Sequence, residues 1–114
     1  MNTEPWTERI REFAQERDWE QFHNPKNLAM ALSVEVSELV EIFQWMPPEE
    51  AAAVMTGARA KDVRDEVADI LTYLLRFADV TGIDLDAALT AKAEDNERRY
   101  TVARAKGSSA KAGH

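Results

Sequence analysis

Apolar residues recur along this chain at the three- and four-residue spacing of helices, and no stretch alternates apolar with polar as a strand would. A first helix opens at Thr3-Glu4-Pro5, with Thr3 at the cap and Pro5 in the first turn. It is expected to run to about Asp18, with Trp6, Ile10, Phe13, Ala14 and Arg17 at helical intervals. An aromatic-rich connection follows over residues 19–25, and Asn24-Pro25 caps and starts a long helix over residues 27–45. Pro47-Pro48 ends that helix. A short helix is expected over residues 48–54, then a second long helix over residues 58–81, closed by Gly82 in the left-handed position. Asp84 caps a last helix from Leu85 to about Ala103. The predicted fold is all-α: an antiparallel bundle of four main helices plus a short one, in a single domain over residues 1–104. Residues 105–114, small and basic, read as a disordered tail.

The two long helices break the usual pattern. With Glu35 set at zero and about 100° per residue, Leu28, Ala31, Leu32, Leu39 and Ile42 fall within about 60° of it, and Glu38 lies about 60° to the other side. Two carboxylates therefore sit within the apolar stripe, where an amphipathic helix should carry none. The second helix repeats the arrangement: Glu66 and Asp69 are three apart, and Val63, Ile70, Tyr73, Phe77 and Val80 gather around Glu66. One such pair is ordinary on a solvated helix edge; two, each centred on an apolar stripe, form a constellation. If the stripes pack together, four carboxylates meet, and each must be protonated, paired or bound to a cation.

Composition narrows the chemistry. There are 14 basic and 21 acidic residues and a net charge of −7, which disfavours nucleic acid polymers and anionic membranes as partners. The absence of cysteine removes thiolate metal sites and cysteine nucleophiles. No apolar run approaches the roughly 20 residues of a membrane span, and residues 1–5 show no signal-peptide pattern, so a cytoplasmic location is expected. The two histidines, His23 and His114, stand far from both acidic pairs, and the Glu-x-x-His pattern of di-iron bundles is missing. An all-carboxylate site suits Mg²⁺, with Mn²⁺ as the alternative, better than zinc or iron. Magnesium commonly shares its shell with phosphates, which makes a nucleotide or another polyphosphate the natural ligand. No glycine-rich phosphate loop is present. The anion would instead meet the metal and the face of the last helix, where Lys92, Asn96 and Tyr100 follow at four-residue steps beside Arg98 and Arg99. Trp19, Trp45 and Tyr73 offer surfaces on which a base could stack, although each could equally fill a core or a subunit contact. Glu41, turned about 120° from Glu35, reads as a residue at the edge of the face.

Glu35-Val36-Ser37-Glu38-Leu39, followed by Phe43-Gln44-Trp45 and then Asp65-Glu66-Val67-Ala68-Asp69, resembles the MazG-like all-α nucleotide pyrophosphohydrolases. The stretch Glu16-Arg17-Asp18-Trp19-Glu20-Gln21-Phe22-His23 and the run Lys92, Asn96, Arg98, Arg99, Tyr100 resemble more narrowly the dCTP pyrophosphatase branch. The resemblance implies Mg²⁺ ligands at Glu35, Glu38, Glu66 and Asp69; one of these carboxylates, with Glu38 as the candidate, would orient the attacking water or accept its proton. It implies substrate contacts at Trp19, Trp45, Tyr73, Lys92, Asn96 and Tyr100. It further implies hydrolysis of a nucleoside triphosphate, dCTP or a modified dCTP first among them, to the monophosphate and pyrophosphate by a dimer or a tetramer of two dimers. Val34 stands where the wider family pattern carries its first Glu, a departure shared by the dCTP branch. Two other readings stay open at this level. One is a non-catalytic helical oligomerisation module whose buried carboxylates pair with Lys61, Arg64, Arg76 or Lys92. The other is an enzyme acting on a different pyrophosphate bond.

Overall fold

The computed structural model describes residues 1–109. Six helices follow one another: α1 Glu4–Glu16, α2 Pro25–Phe43, α3 Pro48–Ala52, α4 Ala60–Thr81, α5 Leu85–Arg99 and α6 Val102–Ala105, with 3₁₀ turns at Glu20–Phe22 and Val54–Thr56. Among the described residues there is no strand, and no helix is long and apolar enough to cross a membrane. The all-α class is as expected. The chain divides into two compact units, Met1–Gly82 and a second beginning at Ile83.

In the first unit α2 and α4 form the main helix pair, and α1 packs on α4. The late α2 residues Glu41 and Gln44 share a cleft with Arg59 and Asp62 at the start of α4. His23, just before α2, bonds Arg76 late in α4. The two helices therefore run antiparallel. Their contact is sealed by Leu28 and Ile42 from α2 and by Ala60, Val63, Leu75 and Ala78 from α4, with Ala14 from α1. Leu28 is 1% exposed; full burial of such a side chain contributes roughly 1.5–3 kcal/mol.

The helix ends follow local chemistry. Asn24 caps α2 by accepting the Asn27 N–H at 2.8 Å, and Gly82 closes α4 at φ 71°, a conformation glycine adopts without steric penalty. Thr3 occupies the cap of α1, but its side chain makes no capping bond; Asn2 Oδ1 takes the Glu4 N–H instead, at 3.2 Å. α1 stops at Glu16, two residues before the expected end. Asp18 N–H bonds Gln15 C=O and Trp19 N–H bonds Ala14 C=O, with Asp18 left-handed at φ 55°. This is a Schellman closure with aspartate where glycine is usual. It sets Trp19 edge-on to Phe13, ring centroids 5.6 Å apart. α2 stops at Phe43, two residues before the expected end, so Trp45 lies beyond the helix and 88% exposed.

In the second unit, Asp84 caps α5 by accepting the Ala87 N–H at 3.0 Å. Asp95 draws Lys92, Arg98 and Arg99 to 3.4–3.5 Å. α5 ends at Arg99 rather than near residue 103, because Tyr100 leaves the helical region at φ −115°, ψ 66°. Of the stretch read as a tail, Ala105 closes α6; residues 110–114, including His114, lie outside the described residues.

α1 is tied to α4 by a charged fork. Arg11 donates from Nε to Asp79 Oδ2 at 2.9 Å and from Nη2 to Oδ1 at 2.7 Å, while Arg76 Nη1 reaches Oδ2 at 3.0 Å. The Arg11 bonds lead in holding the Asp79 carboxyl below its ordinary pKa of 3.8. A lowered folded-state pKa means stability that is present above the unfolded value and lost as pH falls through the folded one. Asp79→Ala should lower unfolding stability at pH 7 by about 2–3 kcal/mol. In denaturant titrations the gap to wild type should narrow as pH drops below the range where Asp79 ionises; a gap independent of pH would remove the carboxylate from this role.

Candidate active site

Glu35 occupies the centre of a row at seven-residue spacing, Leu28, Glu35 and Ile42, whose two apolar ends are buried. The packing of those ends holds the middle of the row against α4. There Glu35, Glu38 and Glu66 each offer a carboxylate oxygen within 4.8 Å of the others. One oxygen of Glu35 and one of Glu66, both Oε2, are sealed from solvent and accept no hydrogen bond among the described residues. Glu38 is the exposed member of the three. It opens onto a cleft of about 610 Å³ lined by Glu41, Gln44, Arg59, Asp62 and Asp65.

The electrostatics follow from crowding. Burial first, then neighbouring Glu38, pushes the Glu35 carboxyl from 4.5 up to about 7, and the charge of Asp69 adds to the push. Burial and Glu38 likewise raise Glu66. Three carboxylates in so small a volume cannot all ionise without a counter-charge. Three of the four basic side chains that could have supplied it as salt bridges are paired elsewhere: Lys61 with Asp65, Arg76 with Asp79 and Lys92 with Asp95. Among the described residues no ion pair reaches the three glutamates. Orphaned acceptor oxygens and an oxygen-only donor set fit a hard divalent cation, so this cluster could hold a metal ion.

Asp69 stands apart from the three glutamates. It lines a neighbouring pocket of about 210 Å³ with Phe13, Trp19, His23, Thr72, Tyr73 and Arg76. Its charge still acts on Glu35, so the fourth expected ligand lies at the junction of cluster and pocket. Trp19 and Tyr73, two of the expected stacking residues, meet in this pocket; Trp45, exposed beyond the end of α2, is not part of its lining. Lys92, Asn96 and Tyr100 belong to the second unit, where they follow one another along α5 and its cap.

Six residues of the pocket carry no site assignment from the sequence: Ile10, Phe13, Ala14, His23, Thr72 and, in this role, Arg76. His23 stands edge-on to Trp19, ring centroids 6.4 Å apart, and accepts at Nδ1 from Arg76 Nε at 3.0 Å. Burial and the Arg76 charge lower its pKa below 6.5. The one available signal was the histidine four residues after Trp19, carried round by a single tight turn to the same side.

Known proteins match this chain closely. A profile of the MazG-like family matches residues 30–114. dCTP pyrophosphatase 1 of Bos taurus is 45% identical over 116 residues, spanning 97% of this chain and 69% of that protein. dCTP pyrophosphatase 1 of Homo sapiens is 43% identical over 116 residues, spanning 97% and 68%. The crystal structure of a pyrophosphatase from Archaeoglobus fulgidus superposes with a TM-score of 0.82 at 43% identity, covering 87% of this chain and 92% of that one. With a profile match over most of its length and these identities across about two thirds of each relative, the chain belongs to the MazG-like family, in the branch that holds the mammalian dCTP pyrophosphatases.

Proposed function

We propose that this protein is a Mg²⁺-dependent nucleotide pyrophosphohydrolase that converts a deoxynucleoside triphosphate, dCTP or a modified dCTP before others, to the monophosphate and pyrophosphate. The observation that carries the reading is the pair of sealed, unpartnered oxygens on Glu35 and Glu66, set beside a pocket lined by Phe13, Trp19 and Tyr73. The substrate is suggested by the names of the mammalian relatives.

Glu35, Glu38 and Glu66 would hold the ion, with Asp69 completing the set from the pocket side. The chemistry supplied by Mg²⁺, or by Mn²⁺ in its place, would be neutralisation of triphosphate charge and a lowered pKa for the attacking water. Water attacks the α-phosphorus, the bond from that phosphorus to the bridging oxygen of the β-phosphate breaks, and pyrophosphate leaves with that oxygen. Glu38, the open member of the cluster, would orient the water and accept its proton. Phe13, Trp19 and Tyr73 give a base flat apolar walls. Lys92, Asn96 and Tyr100 are proposed as substrate contacts on the resemblance of their run to the dCTP pyrophosphatase branch.

A homo-oligomer, either a dimer or two dimers together, belongs to the same proposal. Met30, Val34, Val36 and Val40 of α2 are 42–57% exposed and Trp45 is 88% exposed. An apolar surface of that kind is normally covered by another copy or partner.

Glu38→Gln should cut Mg²⁺-dependent release of pyrophosphate from dCTP by at least about 100-fold while leaving far-UV circular dichroism unchanged. Wild-type turnover in that variant would remove Glu38 from the mechanism. The metal assignment makes a separate expectation. A raised folded-state carboxyl pKa means that metal-free protein loses stability as pH rises from about 4.5 to about 7, since the folded state holds the Glu35 proton more tightly. Mg²⁺ at a hundredfold excess over its Kd should stabilise the fold by about 2.7 kcal/mol and flatten that pH slope in thermal melts. Melts unaffected by Mg²⁺ or Mn²⁺ would sink the metal site.

A further inference from the structure

Arg76 is the one buried charged side chain among the described residues, 6% exposed. Its guanidinium spans two partners: Nη1 donates to Asp79 Oδ2 at 3.0 Å and Nε donates to His23 Nδ1 at 3.0 Å. Asp79 is itself fixed from α1 by the two-bond fork of Arg11. A chain of hydrogen bonds therefore runs from Arg11 through Asp79 and Arg76 to the ring of His23, and it ends in the aromatic pocket, which both Arg76 and His23 line.

The chemistry of that chain is directional. A guanidinium can only donate and keeps its proton at any physiological pH. A ring nitrogen that accepts from it carries no proton, so the neutral imidazole of His23 must carry its hydrogen on Nε2. Nδ1 is already occupied, which leaves Nε2–H as the ring's remaining polar group. The rest of the lining is apolar or aromatic at Ile10, Phe13, Ala14, Trp19 and Tyr73, with two polar members, the acceptor Asp69 and Thr72, whose hydroxyl donates to Ala68 C=O at 2.8 Å. In such a pocket one fixed donor has a large effect on which planar ring is accepted.

We propose that Arg76 is a positioning residue for substrate choice: acting through His23, and steadied by Asp79 and Arg11, it commits the aromatic pocket to an N–H donor and so favours a base whose edge presents an acceptor. This deepens the nucleotide reading and rests on it. A purely structural role for Arg76, bracing the connection between α1 and α2 against α4, would affect folding and stability without altering the tautomer or the ranking of bases.

The test has two arms. In the first, ¹⁵N spectra of the imidazole side chains are recorded on the unliganded full chain. It contains two histidines, and His114→Gln identifies the signals of His23. Wild type should show a single neutral form protonated on Nε2, and Arg76→Met should show both tautomers. Arg76→Lys keeps a cation for Asp79 but loses the planar fork; it serves should the methionine variant fail to fold, and it too should mix the tautomers. In the second arm, pyrophosphate release is measured across the four common dNTPs. Both variants should raise KM for the preferred substrate about tenfold, the effect of losing one aligned hydrogen bond. They should change kcat by less than about twofold and narrow the preference over the other bases by a factor similar to the KM change. A wild-type His23 protonated on Nδ1, a tautomer that ignores both substitutions, or a mixed tautomer with unchanged KM and base preference would each overturn the proposal. Failure of the nucleotide reading looks different: wild type would turn over none of the dNTPs, whatever the spectra show, and the role in base choice would fall with it.

Discussion

Carboxylates that share a volume a few ångströms across repel one another more strongly the less water reaches them. The first unit is built around such a volume. Leu28 and Ile42 lie seven residues to either side of Glu35 and are both buried, so their packing fixes where the intervening carboxylate must stand. Val63 and Ala60 do the same for the α4 side, three and six residues ahead of Glu66. The apolar contacts supply the energy that holds like charges together. The sealed oxygens of Glu35 and Glu66 are the local cost, and it persists until a proton or a cation arrives.

α4 shows the contrast most clearly, because it handles acidic side chains in two opposite ways. Toward α1, Asp79 receives three hydrogen bonds from two guanidinium groups, and its pKa falls. Toward α2, Glu66 receives none at its inner oxygen, and its pKa rises. Both carboxylates come from one helix, and arginine was available to each by sequence. A fold that needed the acidic cluster only for cohesion would be expected to neutralise it as it neutralises Asp79. Leaving it open makes sense if a diffusible cation is meant to complete it. This is why a buried-salt-bridge module explains the first unit less well than a metal-dependent enzyme does.

Much of this was readable from residue order because it depends on local rules. The row Leu28, Glu35 and Ile42 follows from helical periodicity, the start of α2 from Asn24-Pro25, its end from Pro47-Pro48, and the close of α4 from Gly82. The parts that could not be read depend on tertiary contacts or on exceptions to local preference. Asp18 takes the left-handed position that glycine would have announced, so the early end of α1 and the resulting seat of Trp19 carried no signal. Arg76 appeared as a spare cation for the acidic cluster, because nothing in its spacing says that Asp79 and His23 will claim it first. Asp69 shares a helical face with Glu66, yet a three-residue step turns it far enough to face the pocket rather than the three glutamates.

α2 carries a further consequence of the same design. Its inner face is committed to the acids and their apolar flanks. About 180° away, Met30, Ser33, Ser37 and Val40 form a face that is small, partly apolar and exposed. Helix faces of this composition allow close approach of another helix. In the proposed oligomer, a second copy seated there would clamp α2 from behind. Any rotation of α2 that relieved repulsion between Glu35 and Glu66 would then also disturb that contact. Assembly and ion binding would become coupled through the rigidity of one helix, since each would favour the α2 orientation that the other requires. The departure at Val34 fits this logic. A carboxylate there would add a further negative charge to a helix already crowded with them, whereas valine, 54% exposed, adds apolar surface to the flank of the outward face.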